Sequence, residues 1–223
     1  MRKKLGFQAC LEFGLGMLMI GVLLFVPAGT LKFWNAWLLI GALAIPMIIL
    51  GIVLLVKAPQ LLAKRLNKKE TEKAQGWVIL LSAVMFVGGF VIAGLDFRWQ
   101  GSSLPAPVIA TALIVFLLGY ALYAEVLREN AYLSRTVEVQ ENQKVIDTGL
   151  YGIVRHPMYL ATIMMFMTMP LILGSFYAFL LFLIYPAVLI WRIRNEEEVL
   201  LKGLKGYRVY KEKVKYRLIP YLW

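Results

Sequence analysis

Cysteine and histidine, the side chains that most often hold zinc, occur once each in this 223-residue chain, as Cys10 and His156. A lone cysteine excludes an intrachain disulfide and any Cys-based metal site. One imidazole with no thiol beside it argues against zinc, and no metal is expected. Nor do the glycines form a nucleotide fingerprint. The Gly14-Leu15-Gly16 run lies inside an apolar stretch, and no G-x-G-x-x-G follows a strand-like segment. A nucleotide-like cofactor, if one binds, is held in some other way. Internal repeats and low-complexity stretches are absent as well.

Charge is missing over long distances. No charged residue lies between Glu12 and Lys32, Lys32 and Lys57, Lys73 and Asp96, Arg98 and Glu125, or Arg155 and Arg192. About 20 apolar residues at helical rise span a hydrocarbon core of roughly 30 Å, so each block reads as membrane-spanning helix. The composition, 61% hydrophobic, leaves too little polar sequence to cover a soluble core. The fold class expected is therefore all-α, a polytopic transmembrane helical protein. Its spans run over about 12–26, 33–56, 76–95 and 108–124, followed by the block 157–191. That last block is too long for one crossing and carries Pro170, Gly174 and Pro186. It reads as a helical hairpin turning near Pro170–Ser175, with short arms of roughly 16 residues. Six spans are predicted, with five as the alternative. The N-terminal run reads as an uncleaved anchor rather than a signal peptide. No ionisable residue sits deep in any span, which argues against an ion-coupled transporter.

What charge there is falls into groups. The net formal charge is +11. Basic residues cluster at the N-terminus, at 57–73, at 128–155 and at nine positions from Arg192 to Arg217. With six spans these all share one side, and only Lys32 and Arg98 face the other. The positive-inside rule makes the crowded side cytoplasmic, with both termini on it. Topology and anionic lipid account for the basic surplus, so no nucleic-acid partner is expected.

Three segments on that side have local patterns. Leu61, Leu62 and Leu66 fall on one face of a short helix suited to lie on the inner leaflet, with a solvated loop as the alternative. Between Glu125 and Arg155, Val137 and Val139 alternate with polar residues ahead of a polar turn and Lys144-Val145-Ile146. This predicts two short strands, which must pack on something to persist. In the tail, Tyr207, Tyr210 and Val214 share one helical face, and Tyr221 and Trp223 suit an interfacial anchor. Trp34 and Trp37 suit the opposite interface. The hairpin should bring its two ends together, so Arg155 and His156 become neighbours of the Arg192–Glu198 cluster. From spacing alone these groups form either a half-aqueous pocket or a charged juxtamembrane collar.

Motifs decide between the two. Gly149-Leu150-Tyr151 followed by Arg155-His156-Pro157-Met158-Tyr159 resembles the G-x-Y-x-x-x-R-H-P-x-Y pattern of the isoprenylcysteine carboxyl methyltransferase family. Phospholipid N-methyltransferases share much of it. Glu196-Glu197-Glu198-Val199-Leu200 is similar to that family's E-E-x-x-L, and the ending GYRVYKEKVKYRLIPYLW to its tail. The resemblance covers about residues 115–223. It divides the chain into N-terminal spans, 1–114, and a methyltransferase region, 115–223, with insert 125–155 and tail 192–223. It implies an integral membrane enzyme using S-adenosylmethionine at the cytosolic face. By the same resemblance, Gly149, Leu150, Tyr151, Arg155, His156, Pro157, Tyr159 and Glu196 bind the cofactor, and Arg192 and Glu197 act on the acceptor. Arg155 or His156 would meet the cofactor's carboxylate. The acceptor implied is lipophilic, with isoprenylcysteine-type carboxyl O-methylation as the type reaction. Amine or phospholipid N-methylation, thiol S-methylation and a non-catalytic lipid-binding protein are the alternatives. Two departures concern the acceptor: the LKGLKG stretch lacks the family's aromatic, and Ala161 stands where many members have Gly.

Overall fold

A computed structural model describes residues 2–67 and 73–223, with the side chains of 73 and 74 excepted. Among the described residues the chain is helical, with no strand. Its helices are α1 (Arg2–Ala28), α2 (Trp34–Lys57), α3 (Pro59–Leu66), α4 (Lys73–Trp99), α5 (Ala106–Glu129), α6 (Pro157–Ile172), α7 (Phe176–Phe182), α8 (Tyr185–Gly203) and α9 (Tyr207–Lys213). Five helical stretches are long and apolar enough to cross a membrane: α1, α2, α4, α5 and the α7–α8 stretch 176–203. The chain is a multi-pass membrane protein. Leu11, Leu15, Leu18 and Val22 of α1 all point outward, as expected of a helix solvated by lipid rather than water.

The terminal hairpin forms where the prolines and glycine place it. Helix α6, with 16 residues, is the short arm, about 24 Å at helical rise. It stops at Ile172, and Gly174 takes a positive φ of 78°, the left-handed conformation that closes helix ends. Ser175 then caps α7 by accepting from the Ala178 amide. The second arm breaks between α7 and α8 because Pro186 has no amide to give and its ring crowds the carbonyl four residues back. Pro186 instead occupies the first turn of α8.

Close packing holds the hairpin to the bundle. A Cβ on Gly119 of α5 would stand 3.1 Å from the Ala161 carbonyl of α6 and 3.0 Å from Met164. The two backbones approach through small residues, as membrane helices do. Around this contact Leu24, Phe33, Leu39, Phe90, Phe116, Met165 and Ile172 form the main core.

Two local expectations are corrected. The leucine face of α3 does not lie on a leaflet: Leu61 and Leu62 are buried against Leu5, Leu54 and Leu127 of the bundle. Lys68 and Lys69, counted among the inner basic groups, lie outside the described residues. The two strands expected around 137–146 do not form. The turn between them does, with Gln143 N donating to Gln140 O at 3.1 Å and Asn142 at φ 57°. Its valines pack instead on the tail, where Val139 and Val145 meet Leu204, Tyr207, Tyr210 and Val214. Side-chain bonds among Ser134, Thr136 and Glu138 compete with any ladder on the other side.

Candidate functional site

The site grows from the end of α5. Glu129 turns its carboxylate onto the next turn of chain, where Oε2 accepts from the Leu150 amide at 3.0 Å. The neighbouring Gly149 has φ 50°, and a Cβ there would stand 1.5 Å from Glu129 Oε1. Glycine is required on both counts. A 3-10 turn, Gly149–Gly152, follows and buries Tyr151, whose hydroxyl accepts from Asn130 Nδ2 at 3.0 Å. We expect Gly149→Ala to lower the melting temperature of the purified protein by several degrees, through a strain of about 1–3 kcal/mol. Gly152→Ala, whose Cβ would meet no atom closer than 3.2 Å, should be the milder of the two.

After that turn the chain is clamped by the tail. Arg155 N donates to Tyr216 O and His156 N to Arg217 O, both at 2.9 Å. Arg155 Nη1 reaches the Val214 and Lys215 carbonyls at 2.7 and 2.8 Å. Tyr210 Oη donates to Tyr151 O at 2.8 Å, and Lys213 pairs with Asp147 at 2.9 Å. That pairing holds the Asp147 carboxyl below its usual range. Pro157 then opens α6, where its missing amide is not needed.

Two glutamates of α8 face different ways. Glu197 is 3% exposed, behind the site. Its Oε1 accepts from Arg155 Nε at 2.7 Å and lies 3.4 Å from His156 Nε2, and its Oε2 accepts from Arg217 Nε at 3.1 Å. Glu196 stands at the front and accepts from Tyr159 Oη. Arg192 Nε donates to that same hydroxyl at 2.9 Å, and its two Nη atoms to Gln75 Oε1 and Arg135 O, each at 3.0 Å. The expected meeting of the hairpin's two ends is thus realised.

These side chains border a cleft at the end of the bundle. Its free space is about 850 Å³ including the open mouth, and about 100 Å³ admits the centre of a water molecule. Of the residues singled out by motif, Tyr151, Arg155, His156, Tyr159, Arg192 and Glu196 line it. Gly149, Leu150, Pro157 and Glu197 do not; Pro157 and Glu197 are buried, and Gly149 is exposed.

Several participants carried no motif signal. Glu129, Asn130, Gln75 and Arg217 have their roles only through contacts far along the chain. Tyr207 belongs to the tail motif but was not singled out as a site residue. It lines the cleft, is 3% exposed, and its hydroxyl makes no hydrogen bond. Burial first, then the nearby Glu197 and Glu196 carboxylates, push its phenol well up, so it stays a donor at neutral pH. A buried donor without an acceptor is costly, and a polar ligand in the cleft would satisfy it. Its position on the tail's buried face was readable from spacing, but its orphaned hydroxyl was not.

Two comparisons bear on this arrangement. Residues 107–206 match the family model described as phospholipid methyltransferase, a stretch running from α5 through the clamp and hairpin to the end of α8. A delta(14)-sterol reductase of Mus musculus is 30% identical over 91 residues, which are 40% of this chain and 22% of that protein. The chain thus spans about a fifth of the reductase it matches. From α5 to the end of α8, where the R-H-P-x-Y and E-E-x-x-L motifs lie, the chain is similar to the membrane methyltransferases of the phospholipid type.

Proposed function

We propose that the protein is an S-adenosylmethionine-dependent methyltransferase acting on a lipophilic acceptor drawn from the bilayer, and that the reacting group of the acceptor is an amine. The observation that carries this reading is the division of labour between neighbours in the cleft. Glu196 turns an acidic group to the cavity, whereas the Arg192 guanidinium is already engaged at all three nitrogens.

The cleft fits the cofactor in character. It offers aromatic faces at Tyr151, Tyr207 and Tyr210, the His156 ring, and the orphaned Tyr207 donor. S-adenosylmethionine, when bound, supplies an electrophilic methyl group on a sulfonium. Tyr207 and His156 would hold its polar groups, and the tyrosine rings favour its positive charge. Arg155 serves this pocket as a brace, since its Nε and Nη1 already bind Glu197 and the tail. An ammonium acceptor must lose a proton before it can attack, and among the groups lining the cleft we assign that proton to Glu196, beside the Tyr159 hydroxyl. Tyr159, held between Glu196 and Arg192, keeps that carboxylate in place. Alignment of the reactants at about 3–3.5 Å supplies most of the remaining acceleration.

The isoprenylcysteine-type carboxyl reaction implied by the motifs asks more of the site. A carboxylate acceptor wants a free guanidinium fork, and Arg192 would have to release Tyr159, Gln75 and Arg135 to provide one. We place the cleft on the cytoplasmic side, because Arg2, Lys57, Arg128 and the basic tail share its end of the bundle. Membrane lipids are the expected partners, and nucleic acid is not one.

The likeness to a sterol reductase gives a second reading, in which the same cleft holds a reducing nicotinamide cofactor. Calorimetry on the detergent-solubilised chain separates them. Saturable heat with S-adenosylhomocysteine and none with NADPH is expected; the reverse would replace methylation by reduction. Membranes given methyl-labelled donor should then yield a labelled lipid whose label survives mild base. Base-labile label would indicate a methyl ester and restore the carboxyl acceptor.

A further inference from the structure

A second cavity opens at the other end of the bundle, among the α1–α2, α4–α5 and α6–α7 turns. The helices between it and the catalytic cleft have 24–27 residues, about 36–40 Å at helical rise. Its free space is about 750 Å³ including the open mouth, and about 350 Å³ admits the centre of a water molecule. Asp96, Ser102, Ser103, Asn35, Lys32 and Trp34 are among its walls.

Asp96 is the unusual member. It is 6% exposed, and its carboxylate is held by neutral donors only. Oδ1 accepts from the Ser102 amide at 2.7 Å, and Oδ2 accepts from the Ser102 and Ser175 hydroxyls. Those bonds occupy three of about four acceptor positions on a carboxylate. No cation pairs with it among the described residues. A buried charge without a counter-charge is expensive, and a cavity beside it offers room for the missing cation. Lys32 is exposed and lines the same cavity, so positive charge stands at the rim and negative charge at the wall. Trp34, 75% exposed beside them, suits the lipid headgroup level and can face an ammonium.

We propose that this cavity binds the headgroup of a zwitterionic, amine-bearing phospholipid, with the ammonium toward Asp96 and the phosphate toward Lys32. The site is separate from the methyl-transfer cleft and faces the opposite leaflet. It does not depend on the enzymatic reading. Charge order distinguishes it from a general anion patch: a lipid with phosphate but no ammonium satisfies Lys32 and leaves Asp96 as it was.

Photolabelling of the full chain in phosphatidylglycerol nanodiscs tests this. One probe is phosphatidylethanolamine with a diazirine near the glycerol; the other is phosphatidic acid carrying the same diazirine. The ethanolamine probe is expected to label peptides covering 32–35 and 102–104 at least tenfold more than the acid probe. Asp96→Asn should remove that preference. Because Asp96 also ties two turns together, Ser103→Trp serves as the second variant, filling the cavity from an exposed position. It should reduce labelling at least tenfold with the melting temperature unchanged. Glu196→Gln, in the distant cleft, should leave this labelling at the wild-type level. Equal labelling by the two probes, or wild-type labelling of Ser103→Trp, would overturn the proposal.

Discussion

Glu197→Gln is expected to lower the melting temperature of the purified protein more than any other single change around the cleft. The carboxylate is the common partner of Arg155 and Arg217, with Lys211 Nζ at 3.9 Å and His156 beside it. The side chains of Arg155 and Glu197 are 3% and 4% exposed, so water cannot replace what is lost. Removing one member of a buried ion pair costs about 3–5 kcal/mol, because the other charge is stranded. An amide makes this worse than a mere neutralisation, since its NH2 can be turned toward the Arg155 or Arg217 guanidinium, which only donate. The damage should spread along the clamp: once Arg155 loosens, its bonds to the Val214 and Lys215 carbonyls weaken, and the tail that carries Tyr207 and Tyr210 comes with them. Affinity for S-adenosylhomocysteine should therefore fall together with stability. A Glu197→Gln protein that melts like the wild type but has lost turnover would contradict this, and would return Glu197 to the acceptor-side role that its motif position implies.

Adjacent glutamates show why a motif gives less than a site. Consecutive positions on a helix do not share a face. The E-E pair therefore sends one carboxylate forward and one back, and the letters do not say which. Only the positions of Tyr159, Arg155 and Arg217 settle it, and those depend on how α6 and the tail meet α8. The same limit hid Glu129. Its value lies in a bond to the Leu150 amide 21 residues on, and nothing local distinguishes it from a solvated helix end. The hairpin, by contrast, was legible because its signal is one of length and breakers. A charge-free run too long for one crossing, interrupted by Pro170, Gly174 and Pro186, has few ways to fold in a bilayer.

Where local pattern and tertiary demand disagreed, tertiary demand won. The alternation around Val137 and Val139 fits a strand, but the unmet need at that place was the tail's. Tyr207, Tyr210 and Val214 expose an apolar face that a seven-residue helix cannot cover alone, and Val139 and Val145 cover it. A hairpin isolated in water would have been barely stable in exchange. Likewise, the leucines of α3 had two apolar surroundings open to them, the leaflet and the bundle. Leu54 and Leu127 end their own helices at that height and offer the closer packing.

Glu196→Gln is expected to leave the fold and S-adenosylhomocysteine affinity close to wild type while reducing turnover by about 10²–10⁴-fold, the usual range for loss of a general base. The glutamine keeps an oxygen that Tyr159 can donate to, and Glu196 has no buried cation to strand. The deficit should also depend on pH in a way that identifies the acceptor. An aliphatic amine titrates near pH 10, so at neutral pH nearly all of it is protonated and Glu196 must take the proton. As pH rises toward that value the acceptor arrives already deprotonated, and the variant should recover a growing share of the wild-type rate. A carboxylate acceptor is ionised throughout this range and gives no such recovery. Rates for both proteins between pH 7 and 9.5, normalised to each other, decide the matter. A constant ratio would exclude Glu196 as a base toward an amine, whereas a ratio that closes by tenfold or more would establish both its role and the class of group it serves.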